Sequence, residues 1–197
     1  MESGIGRKGD EHMKKMPTLF KREYLEKGGR RILNEVTPGC EWVLEGEGIA
    51  TVKFDGTCCM VKDGKLYARF DMKPGRKLPG GAIPCQESAD PVTGHFPHWV
   101  PVEEHKTNYK WHWTAYQKSG VLPDGTYELC GPHFQGNPEK LAEDTFILHG
   151  SIVLPDVPRS FDGLKDYLEK HCIEGIVFHN GDKMCKIKRK DFGFKWK

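Results

Sequence analysis

Thr51-Val52-Lys53-Phe54-Asp55-Gly56 closes a run that begins near Gly48 and alternates apolar with polar side chains. That period of two is the signature of a strand with one buried face. Asp-Gly then turns the chain, because glycine accepts backbone conformations closed to other residues. The segment describes a strand ending in a turn, with Lys53 solvated. It also describes a lysine brought to a ligand, since a glycine lets backbone approach closely. A lysine amine becomes nucleophilic when burial and neighbouring cations lower its pKa. Lys-x-Asp-Gly alone leaves both readings open.

The chain has 197 residues, with 37% hydrophobic and 29% charged side chains and a formal net charge of +2. These values describe a globular chain with room for one substantial core, not a disordered or polybasic one. Affinity for nucleic acid would have to come from locally placed charge. No apolar run is long enough to span a bilayer, and 1–22 lacks the apolar centre of a secretory signal. The seven cysteines are odd in number, and none forms a Cys-x-x-Cys pair. That implies reduced thiols in an intracellular compartment, cytoplasm or nucleus. Cys85, His95 and His98 make only a partial zinc ligand set.

Working outward, residues 1–16 read as a flexible lead and 17–197 as one domain. The segment 17–26 reads as a short helix closed by Gly28-Gly29. Strands are expected over 41–44, 48–54, 125–130, 146–154, 175–179 and 184–188, with a hairpin at Asp63-Gly64 joining Val61 to 65–70. The Pro- and Gly-rich stretch 73–101 reads as a long loop. Helices are expected over 106–119 and 160–171, the latter with Ser160 as N-cap. Trp111-His112-Trp113 reads as core. The pattern is α+β, built on antiparallel sheet.

Four further segments bear on Lys53. Tyr67-Ala68-Arg69-Phe70 is a strand carrying a guanidinium, and Thr126-Tyr127-Glu128-Leu129-Cys130-Gly131-Pro132 sets a carboxylate in an apolar frame. Ile173-Glu174-Gly175-Ile176-Val177-Phe178 enters a β-branched strand through Glu-Gly. Cys185-Lys186-Ile187-Lys188-Arg189 alternates, so Lys186 and Lys188 share a face. In this order the segments resemble the covalent nucleotidyltransferase superfamily of ATP-dependent ligases and mRNA capping enzymes, over about Gly48 to Arg189. Lys-Phe-Asp-Gly-Thr-Cys-Cys, Ala-Arg-Phe-Asp, Tyr-Glu-Leu-Cys-Gly-Pro-His and Glu-Gly-Ile-Val-Phe-His are similar to the vertebrate-type 5′-to-3′ RNA ligases. That family has no OB-fold domain, and with nine residues after Lys188 in this sequence none is expected here. The chain is shorter than the vertebrate proteins, which puts substrate-gripping elements in question.

The resemblance implies an antiparallel-sheet nucleotidyltransferase (adenylation) domain. It implies ATP as AMP donor, Mg2+ or Mn2+ as cofactor, and RNA with 5′-phosphate and 3′-hydroxyl ends as partner, acted on by a monomer, with no membrane and in RNA repair. Lys53 would attack the α-phosphate, with Lys186 and Lys188 neutralising developing charge. Glu174 would be the metal-site carboxylate. Thr51 and Val52 backbone groups would read the adenine edge, Glu128 the ribose hydroxyls, and Arg69 the ribose or an incoming phosphate. Phe146 would stack on adenine. Lysines and Arg189 interleaved with Phe192, Phe194 and Trp196 near the C-terminus would face RNA. The same motifs fit a capping guanylyltransferase using GTP, or a non-catalytic RNA-binding relic of the fold.

Overall fold

The computed structural model describes residues 16–26, 29–91 and 94–196. Of the expected lead, 1–15 lie outside the described residues, as do Gly28 and Lys197. In chain order the elements are β1 (Phe20–Tyr24), β2 (Arg30–Val36), α1 (Glu41–Leu44), β3 (Ile49–Lys53), β4 (Thr57–Lys62), β5 (Lys65–Met72), β6 (Ile83–Pro84) and β7 (Phe96–Pro101). There follow α2 (Lys110–Lys118), β8 (Gly125–Cys130), β9 (Thr145–Leu148), α3 (Phe161–Lys170), β10 (Gly175–Asn180) and β11 (Lys183–Lys188). The fold is α+β, and its sheet strands pair antiparallel throughout. No described helix is long and apolar enough to cross a membrane.

Two compact units divide the chain, one over Asp55–His149 and one over 16–54 with 150–196. In the second, the sheet order is β11-β10-β3, beside the β1-β2 pair. Registers of Gly175 with Lys53 and Lys188, and of Val177 with Thr51 and Lys186, give the sheet two distinct faces. Ala50, Ile176, Phe178, Cys185 and Ile187 point to the core, where Leu164 and Leu168 of α3 and Trp42 and Val43 of α1 close over them. Thr51, Lys53, Lys186 and Lys188 occupy the opposite face. Ser160 caps α3 by accepting the Gly163 N–H at 3.2 Å, as its sequence signal implies.

The first unit is a six-stranded sheet in the order β6-β7-β5-β4-β8-β9. Cys59, Val61, Leu66, Ala68, Tyr127 and Leu129 pack against Ala115, Trp113 and Tyr116 of α2. The Asp63-Gly64 hairpin forms as expected, with Lys62 opposite Lys65.

Four elements differ from the sequence expectation. The segment 17–26 is extended, not helical: Leu19 N–H donates to the Lys186 carbonyl at 2.8 Å, and Lys186 N–H donates to the Pro17 carbonyl at 3.0 Å. This tertiary pairing, with Leu19 and Phe20 buried, overrides local preference. Glu41–Leu44 is a helical turn, because adjacent Trp42 and Val43 are both buried, which one face of a strand cannot achieve. The stretch 73–101 contains β6 and β7, and Pro97 still serves its ladder by accepting from Cys85 N–H at 2.9 Å. The strand expected over 146–154 stops at Leu148. Gly150 (φ +76°) turns the chain, and Ile152 and Leu154 then bond to β3. Trp111 also leaves the expected core cluster; it is exposed and stacks on His133 at 3.5 Å.

His112 on α2 sits edge-on to Tyr109 and Phe134, with ring centroids 5.3 and 5.0 Å away. Burial lowers its pKa from 6.5 to about 4, against the opposing charge of Asp144. The unfolded chain therefore binds the extra proton first as pH falls, and stability drops between pH 6.5 and about 4. Urea midpoints measured across that window should fall with pH, and His112→Gln should flatten the slope.

Candidate active site

Glu174 is the hub of the polar face in the β3-β10-β11 unit. Its side chain is 4% exposed, and each oxygen accepts one ammonium: Lys53 Nζ on Oε2 and Lys188 Nζ on Oε1, both at 2.6 Å. Lys53 Nζ also donates to the Phe54 carbonyl at 3.2 Å. The geometry follows from register. Gly175, next in sequence to Glu174, pairs with Lys53 on one side and Lys188 on the other. A Cβ on Gly175 would sit 2.3 Å from the Ile187 carbonyl oxygen. Glycine is thus required by close approach of strands rather than by an unusual turn.

Lys186 lies two residues along the same face, opposite Val177, which lies opposite Thr51. Thr51 Oγ1 is 3.3 Å from the Val177 carbonyl and 3.0 Å from His179 Nε2. The Val52 N–H donates to Ile152 at 2.9 Å. The sequence reading missed Asp191. Its Oδ2 accepts the Lys188 N–H at 2.9 Å, and its Oδ1 accepts from Arg22 at 2.8 Å, fixing the strand end that carries Lys188. Asp191 follows Lys188 by three residues, a capping spacing visible in the sequence.

The C-terminal aromatics behave differently from the expected base platform. Phe192 packs against the core and Trp196 is buried. Arg189 donates to the carbonyls of Leu168, Glu169 and His171 at the end of α3, where a cation complements the helix dipole.

In the other unit, β5, β4 and β8 bring Arg69, Cys58 and Glu128 together. Cys58 pairs with Glu128, and Arg69 hydrogen-bonds to the Cys58 thiol. Arg69 Nε is 3.4 Å from Asp71 Oδ1. Glu128 Oε1 accepts the N–H of Gly56 at 3.0 Å, and Oε2 lies 3.0 Å from His149 Nε2. A Cβ on Gly56 would sit 2.3 Å from the Leu129 carbonyl, so this glycine too is set by backbone proximity. Cys58 is partly buried beside Glu128, and its thiol is pushed well above its ordinary pKa, chiefly by desolvation and then by the Glu128 charge. Phe146 is not brought to this face. It pairs with Leu129, one step from Glu128, and packs at 6.0 Å from Tyr127 and 6.3 Å from Tyr116. Ile147 is the residue opposite Glu128. Cys58 and His149 escaped the sequence reading because their relation to Glu128 depends on strand pairing.

No protein-family model matches the chain. Proteins named RNA ligase 1 from Rattus norvegicus and Mus musculus are each 28% identical to it over 221 aligned positions, covering 75% of this chain and 68% of the relative. RNA ligase 1 from Danio rerio is 27% identical with the same coverage. The chain is a relative of these RNA ligases. The resemblance drawn from its motifs therefore agrees with similarity measured along three quarters of its length.

Two substitutions probe the hub. Glu174→Gln leaves two ammonium groups against a neutral amide, and should lower the unfolding free energy by about 3 kcal/mol, as for loss of one partner from a buried ion pair. Gly175→Ala forces β10 from its neighbours and should lower it by about 1–3 kcal/mol, the usual range for overpacking. Both are checked by chemical denaturation at fixed ionic strength.

Proposed function

We propose that the chain is an ATP-dependent RNA ligase that joins 5′-phosphate and 3′-hydroxyl RNA ends through a covalent lysyl-AMP, in RNA repair. The observation that carries the reading is the Glu174 hub, with Lys53 and Lys188 each 2.6 Å from one carboxylate. A structural ion pair needs one lysine. Two lysines, with Lys186 on the same face, gather positive charge where a polyphosphate would lie. On this reading the two units together constitute one nucleotidyltransferase domain acting as a monomer.

In the first step the Lys53 amine attacks the α-phosphorus of ATP. A P–N bond forms, the bond to the β-phosphate bridging oxygen breaks, and pyrophosphate leaves. The amine must shed a proton, and Glu174 Oε2 is the acceptor within reach at 2.6 Å. Lys186 and Lys188 offset charge on the phosphoryl oxygens in the transition state. Next, an oxygen of the RNA 5′-phosphate attacks the same phosphorus, and the P–N bond breaks. The RNA 3′-hydroxyl then attacks the activated 5′-phosphorus, forming the phosphodiester and releasing AMP.

In the other unit, Glu128 would accept from the ribose hydroxyls and Arg69 would fork onto ribose or phosphate. Thr51 and Val52 are the backbone nearest the nucleophile for an adenine edge. Ile147 offers an aliphatic surface on the face of Glu128, where Phe146 does not. A carboxylate has about four lone-pair sites, and Glu174 has committed two to lysines, so its donor chemistry fits Mg2+ or Mn2+. When bound there, such a hard cation would neutralise phosphate charge.

The test is incubation with α-32P-ATP or α-32P-GTP and Mg2+ or Mn2+, followed by a denaturing gel. Label is expected from ATP, abolished in Lys53→Ala and reduced about 100-fold or more in Lys188→Ala, the scale for loss of a transition-state charge partner. Label retained in Lys53→Ala would overturn the assignment, and label from GTP alone would make the enzyme a capping guanylyltransferase.

A further inference from the structure

We propose that Cys58, Glu128 and His149 form a site for a thiophilic divalent cation of the zinc class, completed by water or an exogenous ligand. One donor atom from each residue, a thiol sulfur, a carboxylate oxygen and an imidazole nitrogen, lies within 4.8 Å of the other two. A tetrahedral zinc with bonds of about 2.0–2.3 Å holds its donor atoms roughly 3.3–3.8 Å apart. His149 Nε2 and Glu128 Oε2 are 3.0 Å apart. With all three donors within 4.8 Å of one another, closing the shell asks for side-chain shifts of up to about an ångström, with no change of strand register. Three protein donors and one open position constitute the arrangement of an accessible zinc site rather than a sealed structural one.

The second observation is the set of groups behind those donors. A metal-bound imidazole places its other ring nitrogen on an oxygen partner, and a metal-bound carboxylate is itself held by a hydrogen bond. Both supports exist. His149 Nδ1 is 3.0 Å from Thr126 Oγ1, and Glu128 Oε1 accepts the Gly56 N–H at 3.0 Å. Thr126 and Glu128 lie two apart on β8, so one strand supplies a ligand and the support of another.

Charged groups around the thiol are Glu128, which favours a cation, and Arg69, which opposes it. Arg69 has an alternative partner in Asp71, 3.4 Å from its Nε. Binding replaces the S–H bond of Cys58 by a metal–sulfur bond and releases the proton to buffer. A soft thiolate selects zinc-class metals over the hard cations suited to Glu174. The site does not rest on the ligase reading. On that reading, however, an occupied site withdraws Glu128 from the nucleotide, and zinc would inhibit adenylylation.

The full chain, stripped with chelator, is titrated with Co2+ and then Zn2+ while absorbance is followed. Expected are one equivalent bound, a thiolate-to-cobalt band, and bleaching on addition of Zn2+. Cys58→Ser should abolish the band. His149→Gln should weaken binding at least tenfold, and Thr126→Val, which leaves all three donors in place, about tenfold. Absence of the band in the unmodified chain overturns the proposal, as does a band that persists in Cys58→Ser or an affinity unchanged in His149→Gln. Should Cys58→Ser not fold, Thr126→Val decides, since a metal held elsewhere would not sense it. No nucleotide enters the measurement, so its failure leaves the lysyl-AMP test standing.

Discussion

A single carboxylate, Glu174, bonds two ammonium groups in near-complete burial, and much of the β3-β10-β11 unit is organised to make that possible. One negative charge between two positive ones is stable only if all three are held in place. The strands do this by register: Gly175 sets Lys53 and Lys188 on either side of the residue next to Glu174. Asp191 pins the end of β11, and Arg22 pins Asp191. The apolar face underneath, from Ala50 to Ile187, fixes which side of the sheet the lysines occupy. The same arrangement leaves net positive charge on the open face, and so couples the stability of the unit to the chemistry proposed for it.

Glu128 is handled differently. Among the described residues, no lysine is paired with it. A backbone N–H, an imidazole and a neighbouring thiol surround it, with Arg69 one strand further along. Such an environment suits a carboxylate that exchanges partners, whether hydroxyl or metal, better than one locked in an ion pair.

The sequence announced the lysines, both glutamates and the strands that bear them, because period-two alternation and Glu-Gly or Asp-Gly punctuation are local signals. It did not announce pairing across many residues. Cys58 meets Glu128 only through the β4-β8 ladder, and His149 reaches it only because it prolongs the pairing of β9 with β8, its N–H donating to the Thr126 carbonyl at 3.0 Å. Phe146 shows how fine the parity is: a shift of one position puts a side chain on the other face, and Ile147 is the one beside Glu128. Local pattern also failed at 17–26, where hydrogen bonds to Lys186 draw out a segment of neutral preference. At Glu41–Leu44 four residues are too few for periodicity to choose between helix and strand.

The chain leaves one unit between Phe54 and Asp55 and returns to it after His149. Among the described residues, the first unit is the one continuous stretch Asp55–His149, whereas the unit holding Lys53 is assembled from two distant stretches. During synthesis the continuous unit can close as soon as it has emerged. Lys53, made early, must wait for β10 and β11 to arrive before it meets Glu174 and Lys188. A nascent or prematurely stopped chain therefore carries the lysine without its partners, and the Glu174 ion-pair cluster exists only once translation has passed Lys188.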